Sequence, residues 1–287
     1  TQAANLLRQS GNPLNPLRGE VVKAIVATGY SQPALLLNTY TNLIVPSLPY
    51  RPFDGYLVSG ASGGGNVNSC TSAPPGEYAK SHGEPVIQTQ TMSETATLPL
   101  GLVPSQQSDG NSASNKYRYY DLAGTAHIDH PLIDAVPNPS ELAAAGFDMD
   151  AFLRNCGAAS NLGRFPSYVI YDNLLAKLEA WVRNGTPPPP SQRFLLSGLL
   201  GLGTPVGGLR SPGVDVPIAN YGVNGVALPV VGALLPQCSG GNLSAPNALF
   251  AVQTDFSAGQ LQSRYATHQT YVNQVAASAL TQFQNGF

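Results

Sequence analysis

Val21-Val22-Lys23-Ala24-Ile25-Val26-Ala27 is a β-branched apolar stretch and reads as a buried strand. Residues 34–45 are apolar over several turns and read as a buried helix. Between them lies Thr28-Gly29-Tyr30-Ser31-Gln32-Pro33. Further apolar runs predict parallel strands over 54–60, 84–92 and 116–124. Residues 1–10 read as a helix closed by Gly11, and a Pro/Gly loop fills 12–19. Strands alternating with helices and loops predict an α/β fold with a mostly parallel sheet flanked by helices.

Downstream the pattern is less regular. Residues 101–115 read as polar loop, and 131–163 as irregular with a short helix near 149–153. Val169, Ile170, Leu174, Leu175, Leu178, Trp181 and Val182 recur at helical spacing, predicting a long helix over 167–183 that ends at Gly185. The following run, 187–190, is all proline and reads as a stiff connector rather than a recognition element. Residues 194–247 predict short strands and loops, and 261–283 a pair of amphipathic helices. Arg264, Tyr265 and His268 on that pair read as structural contacts. The organisation expected is a core over 1–135 and an extension over 136–287 packed on it.

Composition narrows the function classes. Of 287 residues 43% are hydrophobic, enough for a large core, and only 10% are charged, with a formal net charge of -2. No basic patch exists to track phosphates, which argues against nucleic acid. No apolar run is long enough to span a bilayer. Low charge with abundant Ser, Asn, Gln, Gly and Pro fits a secreted or periplasmic protein. Cys70, Cys156 and Cys238 fit one disulfide and one free thiol in an oxidising compartment. Cys156 and Cys238, both in the less regular half, are the favoured pair; three buried thiols are the alternative. No Cys/His cluster suggests a metal, and no cofactor is expected. Residues 61–66 are Gly-rich but lack the Lys-Ser/Thr of a phosphate loop and read as a connection. Asn242-Leu243-Ser244 matches a glycosylation sequon.

The chemistry centres on Ser31. Strand, tight turn and helix form the context of a nucleophile elbow, which lifts a serine hydroxyl off the end of a sheet. The backbone N–H of Gln32 would then face a developing oxyanion. The usual pattern is G-x-S-x-G, and here Pro33 stands in place of the last Gly. Proline suits the first helical turn, where its missing N–H costs little. A rival nucleophile is Thr1, through its own amine, although its context reads as helix rather than buried strand. Glu94 and His127 each follow the end of another predicted strand, where α/β sheets place their sites. His130 is an alternative base, and Asp109 or Asp121 an alternative acid; Asp129 and Asp134 read as solvated loop residues.

The strand-to-elbow segment, TMSET at 91–95 and YYDLAGTAHIDH at 119–130 together resemble the alpha/beta hydrolase domain family, in its bacterial secreted-type serine hydrolases with a long C-terminal extension. LLAKLEAWVRNGTPPPPS, VPIANYG and the closing LQSRYATHQTYVNQVAASALTQFQNGF are similar to that family too, so the resemblance covers most of the chain. It implies Ser31 as nucleophile, Glu94 as acid and His127 as base, in the order Ser, acid, His. It also implies several strands upstream of the nucleophile strand, which this chain lacks. The expectation is therefore a second polypeptide, separated by processing before Thr1, that supplies the N-terminal half of the sheet and the second oxyanion donor. The expected activity is hydrolysis of an apolar or bulky carboxylic ester. The alternatives are amide, thioester or acyl-transfer chemistry with the same triad, or a non-catalytic binding subunit.

Overall fold

The computed structural model describes residues 2–61, 77–97, 107–135, 139–144, 146, 148, 151, 162–195, 206–223 and 250–287. All three cysteines, the Gly-rich connection, the sequon, Thr1 and nearly all of the helix expected near 149–153 lie outside them. The chain divides into two compact units, each drawing residues from both sides of position 135. The first holds Thr1–Thr89, Val103–Tyr120 and Tyr171–Ser191; the second holds Gln90–Leu102, Asp121–Ile170 and Gln192–Phe287.

The main sheet has five strands: β1 (Val26–Tyr30), β2 (Gly55–Ser59), β3 (Pro85–Thr91), β4 (Gly110–Asn111) and β5 (Lys116–Leu122). Their order is β1-β2-β3-β5-β4. β1 pairs parallel to β2 with Val26 opposite Gly55, and β2 parallel to β3 with Tyr56 opposite Val86. β4 returns antiparallel on β5 through a turn at 112–115, inside the stretch expected to be loop.

β2 and β3 are buried at every position, as strands covered on both faces should be. β1 stands at one end of the described sheet and is mostly half-buried. Its ladder starts at Val26, five residues later than the apolar run suggested, because β2 begins only at Gly55. Before that point Asp54 takes over. Its N–H donates to Ile25 O at 2.7 Å, and its carboxylate accepts from Ile25 N–H at 2.6 Å.

The first unit also contains helix α1 (Gln2–Leu7) and helix α2 (Gln32–Thr39). α2 stops short of Val45; it continues as a π turn over Tyr40–Ile44 and a 3-10 turn over Val45–Ser47. Ala34 and Val45 pack with Tyr56, Val58, Tyr78 and Val86 into its core. Arg118 anchors the proline connector. Its Nε donates to Pro188 O at 3.1 Å, Tyr120 Oη donates to Pro189 O, and its guanidinium lies 5.2 Å over the Trp181 ring. The proline run is thus held in place, as a stiff connector should be.

The chain from β3 leads, in the second unit, into helix α3 (Met92–Thr97), which the sequence did not predict. Helices α4 (His130–Ala135) and α5 (Pro139–Ala144) follow. The long helix, α6 (Ser167–Asn184), matches its expected span, beginning in the second unit and ending in the first. The second unit continues with α7 (Pro212–Asp215) and a small sheet of β6 (Ala219–Val223) antiparallel to β7 (Ala251–Asp255). It closes with α8 (Ala258–Tyr265) and α9 (His268–Gln284). α8 begins three residues before Leu261 because Ser257 and Gln260 close a capping box ahead of it. No described helix is long and apolar enough to cross a membrane.

Candidate active site

Ser31 sits at the junction of β1 and α2 with φ 61 and ψ -124, a region that a side chain with a Cβ rarely enters. Among the described residues only Ala266 shares a positive φ without being glycine. Ser31 N–H donates to Ser59 O at 3.0 Å, carrying the β1–β2 ladder up to the turn. Its own carbonyl accepts from Ala34 N–H at 2.9 Å and Leu35 N–H at 3.2 Å, opening the helix. Strand and helix therefore meet at one residue, and the strain is held by hydrogen bonds on both sides.

Gly29 explains how so sharp a turn closes. A Cβ there would stand 2.9 Å from Ala34 N, Pro33 C and Leu37 Cδ1. Two of those atoms are backbone and cannot swing away, so helix and strand approach only over glycine. Gly29→Ala is expected to cost about 1–3 kcal/mol, read as a lower urea midpoint. Gln32 is the first helical residue and Pro33 the second. Pro33 lacks the N–H that has no intrahelical acceptor in the first turn, so its presence leaves the helix start intact. The Gln32 N–H has no intrahelical acceptor either and is the donor that an oxyanion could use.

The second unit holds the other two residues. β3 runs straight into α3, and Met92 N–H donates to Thr125 O at 3.1 Å. His127 N–H donates to Ser93 Oγ at 2.9 Å. These bonds tie the segment after β5 to the start of α3. Gly124 makes the bend between β5 and His127 with φ 82; a Cβ there would reach 2.7 Å from Val214 and 2.8 Å from Phe165. The result is a close pair: His127 Nδ1 lies 2.5 Å from Glu94 Oε1. Glu94 Oε2 accepts from Thr91 N–H at 2.6 Å and Thr91 Oγ1–H at 2.7 Å.

Glu94 is buried, and burial alone would raise its pKa. The hydrogen bond and charge of His127, with the two bonds from Thr91, outweigh that and hold the carboxyl below its ordinary value. An ionised carboxylate only accepts, so the bonded Nδ1 of His127 carries the ring's hydrogen. In the neutral ring, Nε2 is then the basic nitrogen. The pair fixes the ring's tautomer and orientation, an arrangement suited to general-base chemistry.

The alternatives have other partners. His130 Nδ1 meets Asp134 Oδ2 at 2.9 Å on the outer face of α4, one turn along the helix. Asp109 accepts from Ser191 N–H at 2.9 Å and from the Ser191 hydroxyl, at the end of the proline connector. Asp121 Oδ2 accepts from Phe194 N–H at 2.8 Å. Asp134 is exposed as expected but lies on α4 rather than in a loop. Asp129 is not solvated; it is buried and caps α4, with Oδ1 accepting from Leu132 N–H at 2.9 Å. A helix N-cap could have been read from the Asp before His130-Pro131, since Pro favours the first turn.

Burial raises the Asp129 pKa more than its bonds from Ser167 and Leu132 lower it. A raised folded pKa means that stability is lost as pH climbs from the unfolded carboxylate value through the folded one. Asn keeps the cap without the charge. Asp129→Asn is therefore expected to gain on the parent in thermal melts as pH rises above the ordinary carboxylate range.

Among the described residues no group of three or more His, Cys, Asp or Glu side chains could hold a metal ion. A parallel sheet with a strained serine at one strand end, and an oriented histidine–carboxylate pair after two others, defines a chain of the α/β-hydrolase class. A family model described as alpha/beta hydrolase domain matches residues 1–287, and the chain belongs to that family. Membership supports hydrolase activity in general. Neither the curated proteins nor the solved structures compared with it gave a match.

Proposed function

We propose that the protein is a serine hydrolase of carboxylic esters, with Ser31 as nucleophile, His127 as base and Glu94 as acid. The observation that carries the reading is the strained backbone of Ser31 at the head of α2. Strain of about 1–3 kcal/mol persists at a residue when surrounding structure enforces it, and such residues gather at active sites. In the reaction, Ser31 Oγ attacks the ester carbonyl carbon while His127 Nε2 takes its proton. Glu94 holds the resulting imidazolium. The Gln32 N–H donates to the carbonyl oxygen as it gains charge. The imidazolium then protonates the departing alkoxide, and a water activated by His127 releases the acid from Ser31. The low content of charged residues supports an apolar or bulky ester as substrate.

The reading includes a second polypeptide that supplies strands beside β1 and a second oxyanion donor. Its support is the position of β1 at the end of the described sheet, and an open cavity of about 440 Å³ beside it, where Val21, Val22, Val26 and Leu175 stand with Lys23, Glu179 and Arg183. An unpaired apolar edge is an aggregation hazard that proteins cover.

The test is a rapid-mixing assay with p-nitrophenyl esters of rising chain length. The expected result is a burst of p-nitrophenol equal to the enzyme concentration, as the acyl-enzyme forms. Steady release without a burst means that acylation limits turnover, and the intermediate is then read from a product ratio that stays constant across leaving groups when methanol competes with water. No release from any ester by folded protein contradicts the reading and favours a non-catalytic binding subunit.

A further inference from the structure

A second concave site lies within the first unit, at the opposite end of β1 from Ser31. Its residues cluster where strands begin: Lys23 before β1, Asp54 just ahead of β2, Glu84 just ahead of β3 and Lys116 at the first position of β5. Trp181 and Arg183, near the end of α6, close another side. The cavity is open and of about 610 Å³, room for a small organic molecule rather than a single ion.

Its charge is one-sided. Four of the chain's 14 Lys and Arg residues line it (Lys23, Arg51, Lys116 and Arg183), together with His82, in a protein whose net charge is -2. Only two acids face them, and both are already compensated. Asp54 Oδ2 is 2.7 Å from Arg8 Nη2 and also accepts from the Ile25 N–H. Glu84 is buried, with its Oε1 2.7 Å from Arg51 Nε. That leaves the ammonium groups of Lys23 and Lys116 with no acidic partner among the described residues. Among the described residues Arg183 pairs with Glu179, one turn back on α6, where both side chains are about half exposed and solvent screens the pair. His82 Nε2 lies 2.9 Å from Thr41 O. A carbonyl only accepts, so Nε2 carries the hydrogen and Nδ1 is the nitrogen left for another contact.

Unmatched cations gathered in one cleft repel each other, and a bound anion relieves that repulsion. We propose that this cleft binds a small polyanion, a molecule bearing two or more phosphate or carboxylate groups, with Lys23 and Lys116 as its principal contacts and Arg183 beside them. The site shares no residue with the Ser31, Glu94 and His127 assignment. It stands whether or not the protein hydrolyses esters.

The experiment is calorimetric titration of the protein with inorganic pyrophosphate and, separately, with citrate, at low and at high sodium chloride. Saturable binding of one anion to each protein molecule is expected, weakening as salt rises. The better of the two probes tells phosphate from carboxylate recognition. Lys23→Gln combined with Lys116→Gln is expected to weaken binding about tenfold or more, since each removes a charge-assisted contact. Lys80→Gln, an exposed lysine elsewhere in the unit, is expected to change nothing. Trp181 is the chain's one tryptophan and lines the cleft, so its fluorescence gives a second readout of the same occupancy. No saturable binding of either anion, or equal affinity in the parent and the double variant, overturns the proposal.

Discussion

Ser31→Ala is expected to lower kcat for ester hydrolysis on the order of 10⁴-fold or more, with KM changed little. Removing the attacking oxygen removes the covalent route altogether; what survives is the effect of binding and the oxyanion donor. The same substitution should not weaken the fold beyond the effect of one small side chain. Ser31 forms its elbow through backbone groups, its N–H to Ser59 O and its carbonyl to Ala34 and Leu35 N–H, and these survive in alanine. Alanine at φ 61 bears the same Cβ strain as serine. The check is steady-state kinetics beside a urea melt. An inactive variant with a parent-like melt assigns the loss to chemistry. Retained hydrolysis in the variant removes Ser31 as nucleophile.

Glu94→Gln carries the second large effect, and it acts on activity and stability together. The carboxylate accepts hydrogen bonds at both oxygens, from His127 on one side and from Thr91 N–H and O–H on the other. A glutamine has one acceptor oxygen and one NH₂ group. Whichever way its amide turns, an N–H is set against an N–H, of Thr91 or of His127. If Nδ1 gives way, His127 takes the wrong tautomer and Nε2 is no longer basic. The expected loss in kcat is about 10²–10⁴-fold. A loss of about 1–3 kcal/mol in stability accompanies it, from buried polar groups left without partners.

The pH dependence of that stability loss has a definite sign. Although burial opposes it, the bonds and charge at Glu94 hold its folded pKa below the unfolded value. Its contribution is therefore present above the unfolded carboxylate pKa and disappears as pH falls through the folded one. Parent and Glu94→Gln melts should differ at neutral pH and converge in acid. A difference that persists undiminished in acid would mean that the carboxylate charge is not what the substitution removed.

The parts of this arrangement that depend on local pattern were readable in the chain. Val26–Tyr30, Gly55–Ser59, Pro85–Thr91 and Lys116–Leu122 are short apolar or β-branched runs bounded by Gly, Pro or polar turns, and each became a strand. A strand end sets the place of the next residues in the chain, so the positions of Ser31, Glu94 and His127 after β1, β3 and β5 followed from order, whereas the bond between Glu94 and His127 did not. Features that depend on a distant partner were not readable. Val21 to Ile25 has strand propensity, but no ladder forms where β2 has not begun. The Asp129 cap on α4 is local, but its burial depends on Ser167, far along the chain. β4 is two residues long, too short for periodicity, and exists only because β5 offers an edge. The charge of the cleft at the strand starts was equally hidden. Its lysines and arginines are far apart in sequence, and the overall net charge of -2 gives no sign of them.

The central claim is that Ser31 is an activated nucleophile. Its most direct test is intact-mass analysis after treatment with a fluorophosphonate, in parent and Ser31→Ala protein. A single phosphonyl adduct on the parent, absent from the variant, is the result this account predicts. A well-folded parent that takes up no adduct, or a variant that takes up the same one, would contradict it.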